Sequence, residues 1–255
     1  MRYLLIMLMF TLSFGAVMFL GHTVVAEDAV SEAMNMTINL GDLSEPKKVA
    51  GTVQILLIMT SFAFLPGLLM VMTSFTRIII VLAFVRKAIS SQQMPPNQIL
   101  IGLAMLITFF VMAPVFSQIH KEAIQPFMQE EIDQGEAFKR GVVPLKTFMA
   151  KQTREKDIAL FYNIAKMDRP ESLEDVPAHI IFPAFVLSEL KTAFQMGFVV
   201  YLPFIVIDMV VASVLTSMGM FMLPPMMISV PFKIVLFVLV DGWHLIIQSL
   251  VSSIR

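Results

Sequence analysis

Four long apolar runs limit what this chain can fold into more than any other feature. They extend from Gly51 to Val85, Ile99 to Phe116, Ile180 to Leu215 and Met226 to Val251. Each reaches the roughly 18 residues at which an apolar stretch reads as a candidate membrane helix. Composition agrees. Hydrophobic residues make up 57% of the chain and charged residues 15%, against about 45–50% and ~25% in soluble domains. Mean hydropathy is +0.81. The expected fold is an all-α membrane protein of about four apolar helical segments, arranged as broken hairpins.

The rest of the chain divides around these runs. Arg2, the apolar stretch Leu4 to Leu20 and the small-residue site Val24-Val25-Ala26 read as a signal peptide over residues 1–26, with an uncleaved first helix as the other reading. Residues 27–50 form a polar periplasmic arm. Residues 51–117 read as a first apolar hairpin. Its opening run would be about 50 Å long as one straight helix, against a core of about 30 Å. A break is therefore expected, and Pro66-Gly67 is the natural place: proline removes a ladder hydrogen bond and glycine relaxes the backbone. The turn of this hairpin runs from Arg86-Lys87 to Met94-Pro95-Pro96. Residues 118–180 carry charge of both signs with helical patterning, and read as a helical, water-facing domain. Residues 181–255 read as a second apolar hairpin, with a methionine-rich loop at 217–225. Arg77, Arg86 and Lys87 place the first connection in the cytoplasm, which makes the charged domain periplasmic.

Four stretches carry a resemblance: TSFTRIIIVLAFVRKA from Thr73, PPNQILIGLA from Pro95, PAFVLSELKTAFQMGF from Pro183 and PFKIVLFVLVDGW from Pro231. Each is long and mixes polar with apolar positions. Together they resemble the FliP/SctR family of type III export-gate membrane proteins, over roughly residue 50 to the end. Thr76-Arg77 and the N-terminal signal are more similar to the flagellar branch than to the injectisome branch. The resemblance implies a homo-oligomer of about five copies. It also implies two small membrane partners of the gate (FliQ- and FliR-like) and a place in the flagellar basal body of the bacterial inner membrane. The assembly would pass unfolded flagellar subunits. Such an assembly can stand partly above the bilayer, with its apolar runs packed on sister subunits.

Ionisable residues inside apolar runs cost about 2.5–3.5 kcal/mol each on insertion scales. This chain keeps Arg77, Glu189, Lys191, Asp208, Lys233 and Asp241 there. If the last two runs form a hairpin, Asp208 and Lys233 lie equally far from an apex between Met220 and Phe221. Each is then roughly 18 Å from that apex at helical rise. A buried Asp208–Lys233 ion pair is expected, within one subunit or between neighbours; facing an aqueous lumen is the plainer reading. Glu189 and Lys191 are two apart, project from different helix faces and need separate partners. Their expected partners lie in the charged domain or on adjacent subunits. Arg154 lies in KQTREKDIALF, which also resembles the family, and with Glu189, Lys191 and Asp241 it is expected at subunit contacts; a solvated helix surface is equally compatible with Arg154.

The loop reads Ser217-Met218-Gly219-Met220-Phe221-Met222-Leu223-Pro224-Pro225. In an extended segment Met218, Met220 and Met222 would share one side, with Phe221 opposite. Methionine is flexible and apolar, so it fills irregular gaps and yields. Several copies around an axis would make a deformable ring that excludes water by dewetting. The family resemblance implies a gasket here, formed by Met218, Met220, Phe221 and Met222. An ordinary lipid-facing hairpin tip is the plainer alternative.

Cysteine is absent, which excludes disulfides, thiolate metal sites and a cysteine nucleophile. No phosphate-binding glycine loop occurs. His22, His120, His179 and His244 have no metal-ligand spacing. No cofactor, metal or catalytic residue is expected, and a net charge of −1 argues against a nucleic-acid partner. The competing reading is a proton or small-solute membrane transporter using Asp208, Lys233 and Asp241.

Overall fold

In the computed structural model, each apolar run that is described is helical. The described residues are 67–89, 95–168, 176–220 and 222–254, with isolated positions between 56 and 64. The expected signal peptide, the polar arm, Pro66 and Phe221 lie outside them. The chain divides into two compact units, Met1–Leu65 and Pro66–Arg255. In the first unit the described positions are helical, and the Thr60 hydroxyl donates to the Leu56 carbonyl at 2.7 Å.

The second unit holds α1 (Phe75–Ala88), α2 (Asn97–Ile119), a π-helical turn (His120–Ile124) and the short α3 (Gln125–Met128). It continues with α4 (Gln134–Gln152), α5 (Glu155–Ala165), α6 (Ala178–Ser217), α7 (Pro225–Leu239) and α8 (Gly242–Ser252). No strand occurs among the described residues. Gly67 is helical, and the described interruption before α1 falls at residues 72–74. The helix that includes α2 runs on unbroken to Met128, so the change from apolar to charged sequence near residue 117 occurs within one rod. α4 starts where Asp133 accepts from the Glu136 N–H at 2.8 Å, a side-chain cap on an otherwise orphaned donor.

Two apolar clusters meet along α6. One joins Met149 and Ala150 of α4, Ile158 and Tyr162 of α5, and Ile180, Ile181, Ala184 and Phe185 of α6. The other gathers α1, α2 and α8 around Ala193 and Phe204 of α6 and Phe237 of α7. α1 supplies a helical stripe, Ile78, Val81, Leu82, Val85 and Ala88, all buried. It approaches α6 closely at Gly197, where a Cβ would lie 2.5 Å from Phe84 Cδ2 and 3.0 Å from Phe84 Cβ. Phe84 is itself held edge-on by Phe194, with centroids 5.5 Å apart. Gly197→Ala is therefore expected to overpack this contact and cost about 1–3 kcal/mol. Denaturant unfolding in detergent would read it; an unchanged midpoint would mean that Phe84 moves aside freely.

Among the described residues, two helices are long and apolar enough to cross a membrane, Asn97–Met128 and Ala178–Ser217. The last apolar run is not one straight helix: α7 and α8 meet at 63°. Asp241, at the junction, has φ 51° and ψ 53°, which is left-handed. With 40 residues, α6 is about 60 Å long, roughly twice the thickness of a hydrocarbon core. Its first half packs within the protein, and most of its second half is exposed beyond Phe204.

Candidate functional site

Where the two clusters meet, α6 presents Glu189 to Arg77 of α1. The side chains are only 1% and 3% exposed. Arg77 Nε donates to Glu189 Oε2 at 2.8 Å, and Nη2 donates to Oε1. This is the fork-to-fork geometry that makes arginine–carboxylate pairs strong. The remaining guanidinium donors are used as well. Nη1 donates to the Ser253 carbonyl at 2.7 Å and to its hydroxyl at 3.1 Å, and Nη2 donates to Gln152 Oε1 at 3.1 Å. Gln152 in turn donates through Nε2 to the Ile254 carbonyl at 2.8 Å. One buried pair thus joins α1, α6, the end of α4 and the turn after α8. Glu189 was expected to find its partner in the charged domain or on an adjacent subunit; in the structure it pairs with Arg77 of the same chain. The signal was present, because Arg77 also needed a partner. Linking residues so far apart requires knowing that α1 lies against α6.

Arg154 also bonds within its own chain. Its backbone N–H donates to Ser188 Oγ at 3.1 Å, and Nη2 donates to Thr192 Oγ1 at 3.1 Å and Gln195 Oε1 at 2.6 Å. It fixes the start of α5 on the face of α6. Lys191 and Asp241 are both exposed.

Further along α6 the structure brings Asp208 and Lys233 together. Lys233 Nζ donates to Asp208 Oδ2 at 2.6 Å, across the α6–α7 hairpin. Ser229, one turn before Lys233, donates to Asp208 Oδ1 at 2.5 Å. The lysine side chain is 1% exposed and the aspartate side chain 26%. Ser229 was missed in the sequence; its spacing of four from Lys233 puts both on one helical face. Toward the apex lies an apolar groove of about 470 Å³, lined by residues such as Val210, Val214, Ile228 and Phe232.

The hairpin tip is not extended. Met218 continues the helical backbone as the cap of α6, and Gly219 turns left-handed at φ 76°. The Gly219 N–H donates to the Thr216 carbonyl and the Met220 N–H to the Leu215 carbonyl, both at 3.0 Å. This pair of bonds is a Schellman ending, which needs a residue without Cβ strain at the left-handed position. The methionines therefore do not share one face of a strand. Met218 is 65% exposed and Met222 97%, while Met220 is half-buried. Pro224 and Pro225 then start α7, where a missing N–H costs nothing. Met226 and Met227 in its first turn are also exposed. The described part of the tip is an exposed, apolar knob on a hairpin pinned by the Asp208–Lys233 ion pair.

A sequence profile of the FliP family matches residues 58–250. The chain is 60% identical over 220 residues to the flagellar biosynthetic protein FliP of Bacillus subtilis, covering 86% of this chain and 100% of that one. It is 53% identical over 202 residues to the protein of that name from Pectobacterium carotovorum, covering 79% of this chain and 78% of the relative. For Borreliella burgdorferi the identity is 48% over 209 residues, with 81% and 82% covered.

Proposed function

This chain belongs to the FliP family, and on that premise we propose that it is a pore-forming subunit of the flagellar, type III protein export gate in the bacterial inner membrane. About five copies would surround an axis, joined by two small FliQ- and FliR-like membrane partners. Unfolded flagellar subunits would pass between them. The charged helices α4 and α5 would face the periplasm, after removal of the signal peptide. The observation that carries this reading is the tip of the α6–α7 hairpin, where methionines are held out of the protein on a stiff support. Arranged around an axis, such tips would form a ring that yields to a passing chain and closes by dewetting. The transporter reading has less support, since both Asp208 oxygens are engaged by Lys233 and Ser229.

Two measurements test the proposal. Native mass spectrometry of the detergent-purified protein, expressed with and without the two small partners, should give a discrete multi-copy complex that incorporates them. A stable monomer that ignores them would remove the gate reading. In an assembled complex, the double substitution Met220→Ala and Met222→Ala should raise ion leakage across the membrane without reducing assembly. An unchanged leak would count against the gasket.

A further inference from the structure

Beyond the tip itself, the geometry points to how it moves: we infer that residues 204–220 and 222–240 form a rigid arm that swings on two hinges, Pro203 in α6 and the Asp241-Gly242 break before α8. The inference rests on the gate reading only for its purpose.

The arm is stiffened internally. Lys233, Asp208 and Ser229 tie its two helices together near the base, about one helical turn above the Phe204 and Phe237 rings, which meet with centroids 6.3 Å apart. Between those two phenylalanines no residue belongs to the core around α1, so little holds the outer arm to the body.

The body on the far side of both hinges is fixed. Glu189, fourteen residues before Pro203, is locked to Arg77, and the turn after α8 is held by the same guanidinium through Ser253. Ile246, Leu250 and Ile254 seat α8 in the core. Among the described residues, the arm therefore meets the body at two crossings. Pro203 has no N–H, so the Val199 carbonyl lacks its helical partner and the rod is weakest there. At the other crossing Asp241 sits left-handed, and the chain turns by 63°. Gly242 lies so close under the Phe237 ring that a Cβ would be 2.4 Å from Phe237 Cδ2. The ring is also packed edge-on against Trp243, with centroids 5.3 Å apart. The two crossings stand at similar distances from the tip, Pro203 and Asp241 being roughly 26 and 31 Å from an apex between Met220 and Phe221 at helical rise. Two weak crossings at matched depth, with rigid bodies on either side, define a hinge axis.

Distance measurements by pulsed electron spin resonance test this on the full chain in lipid nanodiscs. The chain has no cysteine, so introduced labels report cleanly. Lys191→Cys with Met222→Cys spans the hinges, and Val206→Cys with Met222→Cys lies within the arm; all three positions are exposed. The spanning pair should show a broad or double distance distribution and the internal pair a single narrow one. Pro203→Ala, which restores the ladder bond, should narrow the spanning distribution, and Pro203→Gly should keep it broad. A narrow spanning distribution in the parent chain, a spread in the internal pair, or no difference between the alanine and glycine variants would overturn the arm. Because these distances are read on this chain alone, failure of the gate reading would show separately, in the assembly and leak experiments.

Discussion

Arg77→Ala is expected to cost about 3–5 kcal/mol, because it leaves the Glu189 carboxylate buried and unpaired. Natural domains are stable by only about 5–15 kcal/mol, so much of the protein should fail to accumulate in the membrane. Glu189→Ala should do comparable harm by stranding the guanidinium. The damage should extend beyond one contact, since Arg77 also holds the Ser253 carbonyl and the Gln152 side chain that binds Ile254. Arg77→Lys should not rescue it, because an ammonium cannot reproduce the planar fork. The double substitution Arg77→Met with Glu189→Leu should cost less than the sum of the single alanine losses, as apolar replacements of a buried pair leave no charge stranded. The measurement is unfolding in detergent for the four variants. Single-variant losses below about 1 kcal/mol would place this pair with weak surface bridges and remove it as the junction of the fold.

Asp208→Ala is the second large effect, and it should be unequal to its counterpart. Removing Asp208 takes the carboxylate away from a lysine that is almost fully buried, with a cost of up to about 3–5 kcal/mol. Removing Lys233 leaves an aspartate that still accepts from Ser229 and keeps some exposure, so Lys233→Ala should cost less. The exchange Asp208→Lys with Lys233→Asp should restore part of the loss, because the Ser229 hydroxyl serves as acceptor as readily as donor. Full recovery is not expected, since the exchanged carboxylate would occupy the buried end. Assembly in the membrane and resistance to denaturant would be followed together. An exchanged chain no better than either single variant would show that the pair does not hold the arm.

Much of this was legible in the residues. The apolar runs are local and long, so their helical state follows from composition and from the absence of competing patterns. The Asp208–Lys233 contact could be placed by arithmetic because it spans one hairpin, where depth is set by distance from the turn. The tip was harder to read. Alternating methionines suggest a strand, yet Gly219 offers a left-handed ending that closes two backbone hydrogen bonds, and that local gain decides the backbone. The break within the last run was overlooked, although Asp241-Gly242 is a dipeptide that marks turns and aspartate tolerates the left-handed backbone it adopts here.

What the sequence by itself determined was the class of molecule, the family and the hairpin that carries the methionines, all of which rest on patterns contained in short windows of chain. Only the tertiary structure decided that Glu189 belongs to Arg77, that Arg154 braces α5 on α6, and that the turn after α8 is drawn into the same cluster. These contacts join residues 34 to 176 positions apart. A buried charge declares that it needs a partner, but which partner it meets depends on how the apolar faces of α1, α4, α6 and α8 pack, and no single segment contains that information.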